Sequence, residues 1–207
     1  MRPGVLALQG DVAEHRRALE ACGADAPEVR TAADLEHIDA LVIPGGESTT
    51  ILKLIDRYEL REPLVKHIEA GLPVFGTCAG AIVLASKSSD GEPPLGVLDV
   101  AVRRNAYGRQ RESFEAEVDV AGVGTVRAMF IRAPVFEDPG EGVDVLATWA
   151  GRPVAVRSGG LLAVAFHPEL IRPREGGHPE LIRPLEGGLG ELAGTLAMHR
   201  FFLEEIV

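Results

Sequence analysis

Cys78 lies in Gly-Thr-Cys-Ala-Gly (76–80), directly after the apolar run Leu-Pro-Val-Phe (72–75). A nucleophile between two glycines, one residue from each, marks a sharp turn from strand to helix. Small residues let the backbone take a strained turn there and let a substrate approach closely. At a helix start, the dipole and the free N–H groups favour thiolate over thiol. The next amide, of Ala79, points where an oxyanion would form. The same residues also suit a small buried cysteine in a tight turn. Cys22, near the end of an amphipathic helix with nothing beside it to activate it, reads as structural.

A thiol nucleophile needs a base, and His-Pro-Glu occurs twice, at 167–169 and 178–180. The eleven-residue copies 167–177 and 178–188 differ only at Arg174 against Leu185. His167 ends the continuous apolar run "LLAVAF" (161–166), which predicts a central strand. Open α/β sheets place their sites at that end of a strand. In an extended segment residues i and i+2 face one side, so His167 and Glu169 are expected to point together. The carboxylate would fix one ring nitrogen and leave the other to take the thiol proton. His178 follows Arg-Glu-Gly-Gly and is attached to no strand. A catalytic imidazole must be held to about 0.5 Å, so His167 and Glu169 are the expected pair. The second copy reads as a tandem-duplication insert, a loop before the last helix.

A third feature is "LVIPGGESTT" (41–50), where glycines again stand between an apolar run and a helix start. Gly45 and Gly46 can present backbone N–H groups as a second oxyanion donor, and Glu47 and Ser48 follow at the helix start. An ordinary turn or an anion site at a helix N-terminus fits equally. The lysine and spacing of a P-loop are missing.

The elements that must position these residues alternate. Apolar runs at 5–8, 39–46 and 72–76 are separated by amphipathic segments at 12–23, 48–60 and 61–71, which predicts a parallel sheet covered on both faces. From about residue 96, strand-like segments joined by tight turns predict added antiparallel strands. The chain closes with an amphipathic helical pattern over 189–207. A length of 207 residues with no Pro/Gly-rich linker predicts one domain, 1–207, with a core that needs no staples. A net charge of −10 argues against an electrostatic nucleic-acid binder and favours a small molecule or a protein partner. Two cysteines make no disulfide framework, no cationic and apolar leader opens the sequence, and no apolar run approaches membrane-spanning length. A cytoplasmic location is the expectation.

Together the Gly-Gly turn, the Cys elbow and the late His-x-Glu resemble the constellation of class I (triad) glutamine amidotransferases. "LALQGDVAEH", "IPGGESTT", "FGTCAG", "RRNAYGRQRESFEA", "FIRAP", "AFHPEL" and "HRFFLEEI" are similar to the glutaminase subunits of the two-component pyridoxal 5′-phosphate (vitamin B6) synthase. The resemblance implies a flavodoxin-like, Rossmann-type three-layer α/β fold with a mixed, mainly parallel sheet. It implies hydrolysis of L-glutamine to glutamate and ammonia, with Cys78 as nucleophile, His167 as base and acid, and Glu169 as its orienter. Glutamine contacts would fall to Gly46, Glu47, Ser48, Arg104, Ile131 and Arg132, and the oxyanion hole to backbone at Gly45, Gly46 and Ala79. No cofactor or metal is implied. The ammonia would pass to a (β/α)8-barrel synthase subunit in a large hetero-oligomer, where it joins ribose 5-phosphate and glyceraldehyde 3-phosphate. Family members turn over poorly until that partner docks, which places an assembly-dependent switch at Gly45-Gly46. Three other readings compete: a glutaminase serving another synthase, such as that for imidazole glycerol phosphate; a non-catalytic partner-binding regulator; and a cysteine peptidase with the same elbow.

Overall fold

A computed structural model describes residues 1–104, 106, 113–170 and 196–207. Its centre is a seven-stranded sheet. Four short strands, β1 (Pro3–Leu6), β3 (Ala40–Ile43), β4 (Val74–Thr77) and β12 (Leu161–Val164), are buried along almost their whole length. They carry continuous apolar sequence rather than alternation, as strands covered on both faces must. They lie side by side and parallel, β1 on β3, β3 on β4 and β4 on β12. The two-residue β2 (Glu28–Val29) completes one edge in parallel. On the other edge β11 (Arg152–Ser158) and β10 (Asp144–Trp149) pair antiparallel. The mixed, mainly parallel sheet expected from the sequence is therefore present.

The alternation of β4 shows the layers. Phe75 packs edge-on against His15 of helix α1 (Val12–Ala21) and His199 of the C-terminal helix, which is helical over 196–201 and continues as a wider π turn over Phe202–Ile206. Gly76, one residue on, faces Gly80 and Leu84 of α5 (Ala79–Leu84) on the opposite side. Helix α3 (Ser48–Arg57) packs with α5. Among the described residues the remaining α-helices are α2 (Ala32–Leu35) and α4 (Arg61–Glu69), which pack on each other. Helices thus cover both faces of the sheet.

Two features depart from the sequence expectation. The segments after residue 84 do not all extend the main sheet. Strands β5 (Ala85–Ser88), β6 (Leu98–Arg103) and β9 (Val135–Glu137) form a separate three-stranded sheet. Strands β7 (Phe114–Val120) and β8 (Gly124–Phe130) form a two-stranded hairpin. Alternation identifies a strand but not its partner. The hairpin is anchored by aromatic rings. Phe114 lies 4.9 Å from Phe130 and 4.7 Å from Trp149 of β10, and Phe130 lies 5.7 Å from Phe166 beyond β12. The insert at 178–188, with His178 and Glu180, falls outside the described residues. No described helix is long and apolar enough to cross a membrane.

Candidate active site

Four neighbouring parallel strands end at one edge of the sheet, and each delivers one part of the site just beyond its last residue. After β1 come Gln9, Gly10 and Asp11, and after β3 come Gly45, Gly46 and Glu47. β4 is followed at once by Cys78. β12, whose Val164 pairs with Thr77, leads to His167 three residues later. This is the carboxyl edge, where open α/β sheets present reactive groups.

Cys78 has φ 46° and ψ −99°, a left-handed conformation that a non-glycine residue adopts only when its surroundings force it. The glycines around it explain why the turn closes. A Cβ on Gly76 would stand 2.8 Å from the Gly80 carbonyl group, and a Cβ on Gly80 would collide with the Ile43 carbonyl. The elbow is therefore pressed against both β3 and its own strand, leaving no room for side chains at 76 and 80. Cys78 is buried, with Sγ 3.9 Å from the Ile131 carbonyl oxygen, and it heads α5 with Ala79 as the first helical residue. Cys22 differs. It is partly exposed at the end of α1, and burial, partly offset by Arg200, holds its thiol above the ordinary value.

His167 is buried and locked on several sides. Its N–H donates to the Met129 carbonyl at 2.9 Å, so the hairpin β7–β8 sets the backbone. Its ring lies on Gly45, where any Cβ would collide with Cε1. Nδ1 is 2.7 Å from Glu169 Oε1 and 3.3 Å from Asp11 Oδ2, which leaves Nε2 for the thiol. Burial alone would lower the imidazole pKa. The Cys78 and Glu169 charges, with a hydrogen bond to Asp11, outweigh it and raise the value well above that of a free imidazole. Histidine and glutamate meet as expected, but not for the reason the sequence suggested. Pro168–Leu170 is a 3-10 turn, not extended chain, and β12 ends at Val164. The tight turn swings Glu169 back under His167, where its side chain is fully buried. Asp11, His167 and Glu169 bring three ligand-type atoms within 4.8 Å of one another. Two of these atoms already face the third across the Nδ1 proton.

Glu47 caps α3, accepting from the Thr49 N–H at 3.1 Å and from the Thr50 N–H and hydroxyl, each at 2.7 Å. Burial works to raise its pKa, but these bonds outweigh it and hold the carboxyl below the usual range. The cap is thus Glu47, whereas Ser48 is the buried first residue of the helix. Arg104 reaches the same turn, 3.2 Å from Glu47 Oε1 and 3.3 Å from Thr49 Oγ1, with Asp90 Oδ1 at 3.4 Å. Ile131 is half-buried beside Cys78. Arg132, next in the chain, is exposed with φ 46°. The turn at 45–47 is tied to the loop after β1: Asp11 N–H donates to the Gly45 carbonyl at 3.1 Å, and Glu47 N–H to Gln9 Oε1 at 2.8 Å.

Gln9, Asp11, His15, Thr77 and His199 were not singled out from the sequence. His15 had a local signal, since it shares the apolar face of α1 with Val12, Ala18 and Leu19 at helical spacing.

Residues 5–178 match the SNO glutamine amidotransferase family. The chain is 60% identical over 174 residues to the pyridoxal 5′-phosphate synthase subunit PdxT of Parafrankia sp. (strain EAN1pec), covering 82% of this chain and 86% of the relative. It is 50% identical over 210 residues to the protein of that name from Pelotomaculum thermopropionicum, covering 100% of this chain and 96% of the relative. A crystal structure described as a glutamine amidotransferase superposes with a TM-score of 0.82 at 47% identity, covering 98% of this chain and 97% of that one. With the family match spanning most of its length and relatives this similar, the chain belongs to the SNO glutamine amidotransferase family.

Proposed function

We propose that this chain hydrolyses L-glutamine to L-glutamate and ammonia with Cys78 as nucleophile, His167 as proton carrier and Glu169 as its orienter. The observation that carries this is the strained, buried Cys78 opposite an imidazole whose Nδ1 is taken by Glu169 at 2.7 Å. A raised imidazole pKa beside a thiol favours the thiolate–imidazolium pair, the reactive form of both groups.

The Cys78 thiolate attacks the side-chain amide carbon. The oxyanion that forms is met by the Ala79 N–H and by the Gly45-Gly46 turn. As the C–N bond breaks, His167 Nε2 gives its proton to the leaving nitrogen and ammonia departs, leaving a thioester on Sγ. Water then gives a proton to the neutral Nε2 and adds to the thioester carbon. The thiolate leaves, glutamate is released, and the thiolate–imidazolium pair is restored. Throughout, the buried Glu169 carboxylate holds the Nδ1 proton. Glu47, Ser48, Arg104, Ile131 and Arg132 form the rim that would hold the amino-acid end of glutamine, with Arg104 as the cation for its carboxylate.

The names of the relatives favour a pyridoxal 5′-phosphate synthase partner; in this reading it consumes the ammonia, and the resemblance noted above implies that it is a (β/α)8-barrel subunit. In this reading the partner also acts on the Gly45-Gly46 turn. Turning its peptides breaks the bonds from Asp11 and to Gln9, a cost that docking contacts can offset. A reactive glutamine analogue, 6-diazo-5-oxo-L-norleucine, tests the reading. It should add covalently to Cys78 by mass spectrometry, and the adduct should not form in His167→Ala. Labelling at Cys22 alone, or none in the presence of the partner, would refute it.

A further inference from the structure

Behind the triad runs a second line of buried imidazoles that the reaction above does not use. His15 of α1 and His199 of the C-terminal helix are both fully buried, 184 residues apart in sequence, and joined Nδ1 to Nε2 at 2.9 Å. The other nitrogen of His15, Nε2, lies 3.0 Å from Thr77 Oγ1 and 3.5 Å from Glu169 Oε1. Thr77 is the residue before the nucleophile. The line therefore runs from the C-terminal helix through α1 to the carboxylate that orients His167.

The direction of its hydrogen bonds follows from counting donors. A carboxylate oxygen only accepts, and the Thr77 hydroxyl at 3.0 Å can accept as well, so a proton on His15 Nε2 suits both of its neighbours. In the neutral ring Nδ1 is then an acceptor, and His199 must donate to it from Nε2. This leaves His199 Nδ1 bare, and among the described residues it has no hydrogen-bond partner. The reverse assignment would bury a His199 N–H without an acceptor, which proteins avoid more strictly than a bare lone pair. Burial pushes the His199 pKa down to about 3, which keeps that ring neutral as the assignment requires. Glu169 Oε2 likewise lacks a hydrogen-bond partner among the described residues, so His167 and His15 are what holds this carboxylate.

We propose that His15, braced by His199, is a positioning residue that points a donor at the Glu169 carboxylate and so fixes the orienter of the catalytic imidazole. The proposal rests on the triad reading given above, and it makes the C-terminal helix, through His199, part of the support of the active site.

The test uses the full chain with Cys22→Ser as background, so that only Cys78 is alkylated. Two readouts are compared for His15→Leu, His15→Gln, His199→Leu and His199→Gln. One is kcat and KM for glutamate release in the presence of the synthase partner. The other is the rate of Cys78 alkylation by iodoacetamide near neutral pH, which needs neither glutamine nor partner. His15→Leu should lower kcat by about 10- to 100-fold, the factor carried by a lost hydrogen bond to a charged group, with KM within about twofold, and should slow alkylation in step. His15→Gln, whose amide N–H can replace the Nε2 donor, should recover most of both. His199→Leu should show a smaller loss, again recovered by Gln. If His15→Leu does not fold, the His199 pair decides alone. Leu variants that leave kcat and alkylation within twofold overturn the proposal. Gln variants that fall as far as Leu also overturn it, because packing rather than a donor would then be what matters. If the unsubstituted chain releases no glutamate, the glutaminase reading fails, and the alkylation series still judges the relay.

Discussion

The chemistry proposed at Cys78 depends on a charge held where burial opposes it. The His167 ring is almost fully enclosed, and the Cys78 and Glu169 charges with a hydrogen bond to Asp11 keep a proton on it against burial. Substituting the nucleophile should therefore change the base. In Cys78→Ala the thiolate is gone and burial, which lowers the value, is no longer outweighed to the same degree. We expect the His167 imidazole, followed by NMR against pH, to titrate at lower pH in Cys78→Ala than in the unsubstituted chain. An unchanged or higher midpoint would mean that the two groups are not an ion pair. At this scale much was legible. Gly-x-Cys-x-Gly announces a turn that only small neighbours permit, and His-Pro-Glu after an apolar run announces a histidine with a carboxylate beside it. The local geometry was not legible: Pro168–Leu170 closes into a 3-10 turn, so the side chains meet by tight winding rather than by strand alternation. The His15–His199 contact could not be read either, because it joins residues 184 apart, and the segments LALQGDVAEH and HRFFLEEI that hold them do not say which side chains meet.

At the scale of elements, the site exists because β1, β3, β4 and β12 are adjacent and parallel, so that four loops meet at one edge. Alternating apolar and amphipathic segments made that sheet readable. They could not show that β7 and β8 stand apart as a hairpin, since pairing is decided by rings such as Phe114, Phe130 and Trp149 that meet only after folding. That hairpin matters, because Met129 at its end holds the His167 backbone. The turn after β3 matters as much. A Cβ on Gly45 would occupy the space of His167 Cε1, and the imidazole would have to move. We expect Gly45→Ala to reduce glutamine turnover by at least about 100-fold, because a displacement of about 1 Å at a reacting group costs that much. The cost in stability should be only about 1–3 kcal/mol, as for local overpacking. Steady-state kinetics beside a denaturant titration checks this. A variant with near-normal turnover would show that His167 is not held where the ring now lies.

For the molecule as a whole, the buried histidines and carboxylate make stability depend on pH in separate windows. His199 titrates at about 3 in the fold and near about 6.5 when unfolded. Below about 6.5 the unfolded chain takes up a proton that the folded chain refuses, so stability falls as pH drops toward about 3, and above that window this group has no effect. Glu169 is also held below its ordinary value. Burial would raise it, but His15 and His167 more than offset that. Its contribution is present above the ordinary carboxylate range and is lost as pH falls through its folded value. His167, raised, stabilises at neutral pH and below, and that contribution is lost as pH rises through its folded value. We expect the melting temperature to fall between about pH 6.5 and pH 4.5, where histidines rather than carboxylates titrate. His199→Leu should flatten the fall, and an unchanged slope would contradict the account.

The central claim is that the first His-Pro-Glu, held at the end of β12, is the one that serves Cys78. Glutamate release from L-glutamine, measured with the synthase partner present for the unsubstituted chain, His167→Ala and His178→Ala, tests it most directly. The account predicts that His167→Ala abolishes turnover and that His178→Ala leaves it within about twofold. Loss of turnover in His178→Ala with His167→Ala still active would contradict it, because the second copy would then supply the base.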